Sequence, residues 1–109
     1  MPTAFEERVY AATRLVPAGR VTTYKHLALE IGCHSSQAVG QALKRNPFAP
    51  ETPCHRVIKT NLTIGGFAGQ SAGPDIEQKR QLLKSEGIAF SAEGSLLDAR
   101  RVFTFGQDL

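Results

Sequence analysis

The chain has 109 residues, with thirteen Lys and Arg against ten Asp and Glu, a formal charge of +3, 41% apolar residues and 21% charged ones. This is the composition of one globular domain with a modest core, and its two cysteines, Cys33 and Cys54, exclude a disulfide framework, so an intracellular thiol protein is expected rather than a secreted, stapled one. The longest uncharged stretch, residues 60–74, is interrupted by Gly65, Gly66, Gly69 and Gly73, and no apolar run follows a basic start, so neither a membrane span nor a signal peptide is expected.

The charge is concentrated in the middle. Residues 14–59 sum to +5, whereas residues 1–13 and 60–109 each sum to −1. A basic stretch of this kind is where a polyanion would bind, although a solvated basic face has the same composition.

In chain order, Thr3 with Glu6 forms a capping box, and Phe5, Val9, Ala12 and Leu15 follow at helical spacing, predicting a first helix over roughly residues 4–16, before Pro17 and Gly19. Thr22 or Thr23 can cap a second helix of about two turns carrying Tyr24, Leu27, Ala28 and Ile31, with Gly32 just past its end. Ser35 or Ser36 can cap a third, Gln37 to Arg45, stopped by Asn46-Pro47. Two short helices joined by a tight turn suggest a helix-turn-helix whose third helix enters a groove.

Beyond Pro47 the prolines Pro50 and Pro53 impose a constrained, non-helical connection; Arg56 to Lys59 reads as a short strand and Thr63 to Gly69 as a glycine-rich loop. Pro74, followed by Asp75 and Glu77, opens a fourth helix that packs through Ile76, Leu82 and Leu83 and ends at Gly87. Ile88 to Phe90 and Leu96 to Leu97 flank Glu93-Gly94 as a small hairpin. The fold class expected is therefore mainly α with a small β element, a winged helix-turn-helix-like three-helix DNA-binding domain, with residues 1–109 as a single domain.

Chemistry points to Cys54, held between Pro53 and His55. A free thiol has a pKa of about 8.5, and a nearby imidazole is the usual means of making a thiolate at neutral pH. Neighbours in an extended segment point to opposite sides, however, so His55 needs a turn or a bridging water to serve Cys54, and a bare Cys-His pair is by itself more simply a small buried cysteine beside a structural histidine. Cys33-His34 and Cys54-His55 lack the spacing of about two to four residues that lets two side chains chelate one zinc, so no metal site is expected. Nucleotide-binding glycine motifs are absent, since Gly65-Gly66-Phe67-Ala68-Gly69 has neither their spacing nor a Lys-Ser/Thr ending.

The surrounding string adds to this. Pro53-Cys54-His55-Arg56-Val57 resembles the active-site signature of the O6-alkylguanine-DNA alkyltransferases, the methylated-DNA–protein-cysteine methyltransferases. Gly19-Arg20-Val21-Thr22-Thr23-Tyr24, Ala38-Val39-Gly40-Gln41-Ala42, Arg45-Asn46-Pro47 and Leu82-Leu83-Lys84-Ser85-Glu86-Gly87 fall in that family's order and near its spacing, so the resemblance runs over roughly residues 4–90. It corresponds to the family's DNA-binding catalytic domain. The chain is also similar in its shortness to the alkyltransferase-like proteins, which typically have another residue where this one has Cys54.

The resemblance implies that Cys54 attacks the alkyl carbon on O6 of a guanine and keeps the group, that His55 deprotonates the thiol through a water, and that Glu86 orients the imidazole. It implies that Asn46 braces the turn before the cysteine and that Tyr24 contacts the phosphate behind the extruded nucleotide and donates a proton to the leaving guanine. Pro53, Val57, Phe67 and Ala68 would line the base pocket, and no cofactor is needed. Small residues on the third helix, Ala38 and Gly40 with Ala42, would let its backbone approach a shallow minor groove, and Arg20, Lys44, Arg45 and Lys59 would contact phosphates whatever the sequence.

The sequence departs from the family pattern in three places. Gln37 stands where the family has an arginine that fills the space of the flipped base; Phe67 and Ala68 stand where tyrosine and serine are common; and the chain is several residues longer through Gln70-Ser71-Ala72-Gly73-Pro74. These changes keep open a lesion-binding protein that recognises O6-alkylguanine and recruits other repair factors with little transfer, while a winged-helix transcription regulator is disfavoured by the small-residue third helix. The expected partner is double-stranded DNA containing O6-alkylguanine, bound by a monomer away from membranes, in the nucleus of a eukaryote or the cytoplasm of a prokaryote.

Overall fold

The computed structural model describes residues 2–47, 51–65 and 74–107. Helix α1 (Ala4–Thr13), strand β1 (Thr22–Thr23), helices α2 (Tyr24–Glu30) and α3 (Ser36–Lys44), strand β2 (Val57–Ile58) and helix α4 (Pro74–Ser85) follow in that order, with single 3-10 turns at Cys54–Arg56 and Ala99–Arg101. The chain is mainly helical, with a two-stranded sheet, as its sequence predicts.

The caps explain where the helices start and stop. Thr3 accepts from the Glu6 amide and Glu6 accepts from the Thr3 amide, the reciprocal capping box at α1. The helix ends at Thr13 rather than Val16, because Arg14 to Val16 turn tightly through Leu15 N to Ala12 O and Val16 N to Thr13 O. Thr23 caps α2 and Ser35 caps α3. At Gly32 (φ +69°) α2 closes through Gly32 N to Leu29 O and Cys33 N to Ala28 O, a left-handed cap of the kind glycine favours. α4 closes in the same way, through Gly87 N to Lys84 O and Ile88 N to Leu83 O. That second cap matters for chemistry, because it fixes Glu86 at the helix end.

Two apolar clusters sit on either side of the sheet. Val9, Tyr10, Leu27, Ala28, Val39, Ala42 and Leu43 join α1, α2 and α3, with Val57 at their edge, while Val21, Ile58, Ile76, Leu83 and Ile88 join the strands to α4. Strand alternation puts neighbouring Val57 and Ile58 into different clusters, so β2 is the wall between them. Each fully buried Val, Leu or Ile removes enough apolar surface to contribute about 2 kcal/mol. The Tyr10 hydroxyl donates to the Ala42 carbonyl at 2.7 Å, tying α1 to α3.

β1 and β2 run parallel, with Thr22 opposite Val57 and Thr23 opposite Ile58. Since Tyr24 follows Thr23 and Lys59 follows Ile58, this register brings both to one end of the sheet. The hairpin expected near Glu93-Gly94 is present: Phe90 bridges Leu96, Leu97 N donates to Ala89 O, and Ser95 also bridges Thr63. The segment after it returns to the helical side, where Phe103 N donates to Val21 O and the Gln107 side chain to the His26 carbonyl. Leu62 adopts φ +65°, a conformation that costs a branched side chain roughly 1 kcal/mol, and its packing against the second cluster offsets that strain.

Candidate active site

The segment before β2 is not extended. Cys54, His55 and Arg56 form a 3-10 turn, closed by Arg56 N to Pro53 O at 2.9 Å, so Cys54 and His55 are not forced to opposite faces as a strand would require. The Thr52 carbonyl anchors the approach to this turn, accepting from the Cys54 amide at 2.8 Å and from Asn46 Nδ2 at 3.0 Å. Asn46 thereby links the end of α3 to the cysteine. Asn46→Ala should cost about 1 kcal/mol in thermal unfolding and should slow any reaction at Cys54 by more than that loss explains.

Behind the turn lies a hydrogen-bonded triad of His55, Arg56 and Glu86, the last at the end of α4. His55 Nε2 is 3.1 Å from Glu86 Oε2, while Arg56 grips the same carboxylate through Nε to Oε1 at 3.0 Å and Nη2 to Oε2 at 2.8 Å. Arg56 Nη1 also donates to the Val16 carbonyl at 2.9 Å. Burial pushes the Glu86 pKa up, but the hydrogen bonds from Arg56 and His55 more than reverse this, so it lies below the ordinary 4.5 and the group stays ionised. The His55 pKa is lowered from 6.5, chiefly because the ring is buried; Glu86 opposes that shift, whereas Arg56 and Lys79 add to it. His55 is therefore neutral at pH 7. With a carboxylate at Nε2, that nitrogen carries the proton and Nδ1 is left as the proton acceptor.

Lys79 has no exposed surface. Its Nζ donates to the Val57 carbonyl at 2.8 Å, and burial lowers its pKa to about 7, against an opposing pull from Cys54. Its sequence signal is its place in the stripe Ile76, Lys79, Leu83, where spacing of three and four puts it on the inward face. Sequence reading also leaves Arg56 without a role of its own, because a charge that clamps a distant carboxylate has no local pattern.

Tyr24 is half-buried, and its pKa is raised by burial and by Cys54, which keeps the hydroxyl protonated. It lines an open cleft of about 800 Å³ between α3 and the 59–65 hairpin, with Ser36, Gln37, Gly40 and Gln41 on one wall. A Cβ on Gly40 would stand 3.9 Å from the Tyr24 ring, so this glycine faces the cleft, whereas Ala42 is fully buried as a packing residue beneath Tyr10. Ala38 is half-buried and Gln37 exposed. Arg20, Lys44 and Arg45 are exposed; Arg45 forms an ion pair with Glu6 at 2.7 Å, and Arg20 donates to the Arg100 carbonyl at 3.3 Å. Pro53 and Val57 are buried beside the cysteine turn. Phe67 and Ala68, with residues 70–73 of the extra loop, lie outside the described residues.

With this geometry, the family described as 6-O-methylguanine DNA methyltransferase, DNA binding domain, matches residues 4–88. The chain belongs to this family. The methylated-DNA–protein-cysteine methyltransferase of Metallosphaera sedula is 45% identical over 84 residues, covering 77% of this chain and 49% of its own. The DNA base-flipping protein of Escherichia coli is 35% identical, covering 85% of this chain and 69% of its own. Among solved structures, the Mycobacterium tuberculosis OGT in complex with DNA superposes with TM-score 0.64 at 36% identity, over 79% of this chain and 51% of that one. S. pombe Atl1 in complex with damaged DNA containing O6-carboxymethylguanine superposes with TM-score 0.77 at 28% identity, over 94% of this chain and 98% of that one. The chain spans about half the length of the first curated methyltransferases it matches. No helix among the described residues is long and apolar enough to cross a membrane.

Proposed function

We propose that this alkyltransferase-family chain acts as a single domain that takes O6-alkylguanine out of duplex DNA and transfers the alkyl group irreversibly to Cys54. The observation that carries this reading is the ordered set behind the thiol, with Arg56 fixing Glu86, Glu86 fixing the His55 tautomer, and Asn46 holding the turn that presents Cys54. His55 accepts the thiol proton at Nδ1 through a water, and the sulfur attacks the alkyl carbon. A C–S bond forms as the C–O6 bond breaks, its electron pair passing into the guanine, which takes a proton from Tyr24. The product is a thioether, and nothing in this sequence of steps regenerates the thiol, so one protein repairs one lesion without a cofactor.

Double-stranded DNA bearing the lesion is the partner, and the place of action is wherever the cell keeps that DNA, nucleus or cytoplasm. Gln37 enters the space left by the extruded base, and Ala38 and Gly40 admit the backbone of α3 to the minor groove. Arg20, Lys44 and Arg45 meet phosphates. Extrusion costs a few kcal/mol, less for a poorly paired alkylated base than for guanine. Lesion loss from an O6-methylguanine duplex tests this reading: repaired lesions should equal the protein added and then stop, whereas continued turnover or no loss contradicts it.

A second reading, a protein that binds the lesion with little or no transfer, is favoured by the likeness to S. pombe Atl1 in complex with damaged DNA, at TM-score 0.77. Retention of Cys54 with its full supporting set favours transfer.

The pH dependence follows from His55. Its folded pKa lies below 6.5, so the transfer rate should fall on acidification with a midpoint below 6.5, where the base becomes protonated. Stability has the same sign: below about 6.5 the unfolded state binds this proton first, so the fold weakens as pH drops toward the folded value, and Glu86 adds to the loss from 4.5 downward. Stopped-flow rates and melting curves between pH 5 and 8 check both; a midpoint above 6.5 would contradict the assignment.

A further inference from the structure

Residues 89–107 lie beyond the stretch the family matches, yet one side chain among them reaches the back of the candidate site. Arg101 ends the second 3-10 turn, and its main chain is tied to the start of β1. Its carbonyl accepts from Val21 N at 2.9 Å, and Phe103 N donates to Val21 O at 2.6 Å. From that fixed base the guanidinium extends to the turn between α1 and β1, where Nη1 donates to the Gly19 carbonyl at 3.1 Å. A Cβ built on Gly19 would stand 3.6 Å from Arg101 Nη1 and 3.6 Å from the Glu86 carbonyl oxygen. One built on Gly87 would stand 3.9 Å from Arg101 Nη2. The guanidinium therefore sits between two glycines, one in the α1–β1 turn and the other in the C-terminal cap of α4.

Glu86 precedes Gly87 and is held against that same turn from two sides. Arg56 grips its carboxylate and reaches the Val16 carbonyl at the start of the turn. Arg101 lies against the main chain that carries Glu86 and reaches the Gly19 carbonyl near the end of the turn. A cation is also favoured at this end of a helix, where the last carbonyls lack intrahelical partners. Gripping the carboxylate alone leaves its main chain free to shift, and a hydrogen bond weakens steeply as its donor and acceptor lose alignment.

We propose that Arg101 is a positioning residue for the transfer reaction: it braces the end of α4 against the α1–β1 turn and so holds Glu86 on His55. The reaction it serves rests on the alkylguanine reading above, whereas the bracing rests on the contacts alone.

The test compares the full chain with Arg101→Ala, Arg101→Lys and Arg100→Ala, each under conditions where it is folded. One readout is the nuclear magnetic resonance signal of the His55 Nε2 proton, which lies downfield while it is bonded to Glu86. The other is single-turnover transfer from an O6-methylguanine duplex over the pH range used above. Arg101→Ala should move the His55 signal upfield and slow transfer by about fivefold. It should also shift the acid limb to lower pH, since Glu86 raises the His55 pKa and the other charges acting on that ring, Arg56 and Lys79, are kept. Arg101→Lys keeps a cation and a donor for the Gly19 carbonyl, and should show the same changes at smaller amplitude. Arg100, 92% exposed and paired with Asp98, carries the same charge away from the site, and Arg100→Ala should leave both readouts unchanged. An unmoved His55 signal or acid limb in the Arg101 variants overturns the proposal even if they melt earlier, and so does an equal response to Arg100→Ala. Absence of transfer by the unsubstituted protein contradicts the alkylguanine reading instead, and the His55 signal then still decides whether Arg101 holds Glu86 in place.

Discussion

Cys54→Ser should abolish alkyl transfer, with a fall in rate on the order of 10⁴-fold or more, while the affinity for an O6-methylguanine duplex changes by less than about twofold. Serine is nearly isosteric but cannot ionise near neutral pH, so His55 would have no anion to generate. The cleft is lined by Tyr24, α3 and the 59–65 hairpin, which the substitution leaves untouched. Single-turnover repair assays and equilibrium binding on the same preparation check the two halves of this expectation. A Cys54→Ser protein that still removes the methyl group would displace Cys54 as the acceptor.

Glu86→Ala should carry the next largest effect, because it removes the acceptor of three hydrogen bonds at once. The Arg56 side chain is 18% exposed and would keep only its bond to the Val16 carbonyl, a partly buried charge without its counter-ion. Unfolding should become easier by about 3 kcal/mol, read from denaturant midpoints. Transfer should slow by roughly 10²-fold, as the imidazole loses the group that fixes its tautomer. Glu86 raises the His55 pKa, so its removal should move the acid limb of the rate profile to lower pH. Arg56→Ala separates the two effects: comparable destabilisation is expected, with a smaller loss of rate, since His55 and Glu86 remain in contact. Equal rate losses in both variants would make the triad a structural clamp.

Local signals were readable in the sequence where one residue type does one job. The Thr3–Glu6 capping box, the stops at Gly32 and Gly87, and the third helix before Asn46-Pro47 each rest on a residue whose backbone or hydrogen-bonding demand is met within a few positions. The parallel pairing of β1 with β2 left no trace, because two residues show no period and the partners lie far apart in the chain. The 3-10 turn at Cys54 was hidden for a related reason: the prolines around it exclude a helix but do not choose between a strand and a turn. Val102, Phe103 and Gln107 dock through backbone groups and one amide, which impose no pattern on composition.

The residues of the candidate site were named through the family resemblance, whereas which of them touch could be read only from tertiary contacts. Glu86 alone reads as a surface acid at a helix end; the cap at Gly87 and the grip of Arg56 turn it into the partner of His55. Arg45, expected on phosphates, is also committed to Glu6, a contact between α3 and α1 with no short-range signal.

The most direct measurement is intact-mass spectrometry of the protein after mixing with an equimolar duplex carrying one O6-methylguanine, followed by peptide mapping. One added methyl group, located on the peptide at Cys54, with the lesion returned to guanine, is the predicted result. An unmodified protein that binds the lesion duplex more tightly than plain DNA would contradict transfer and leave recognition alone as the activity.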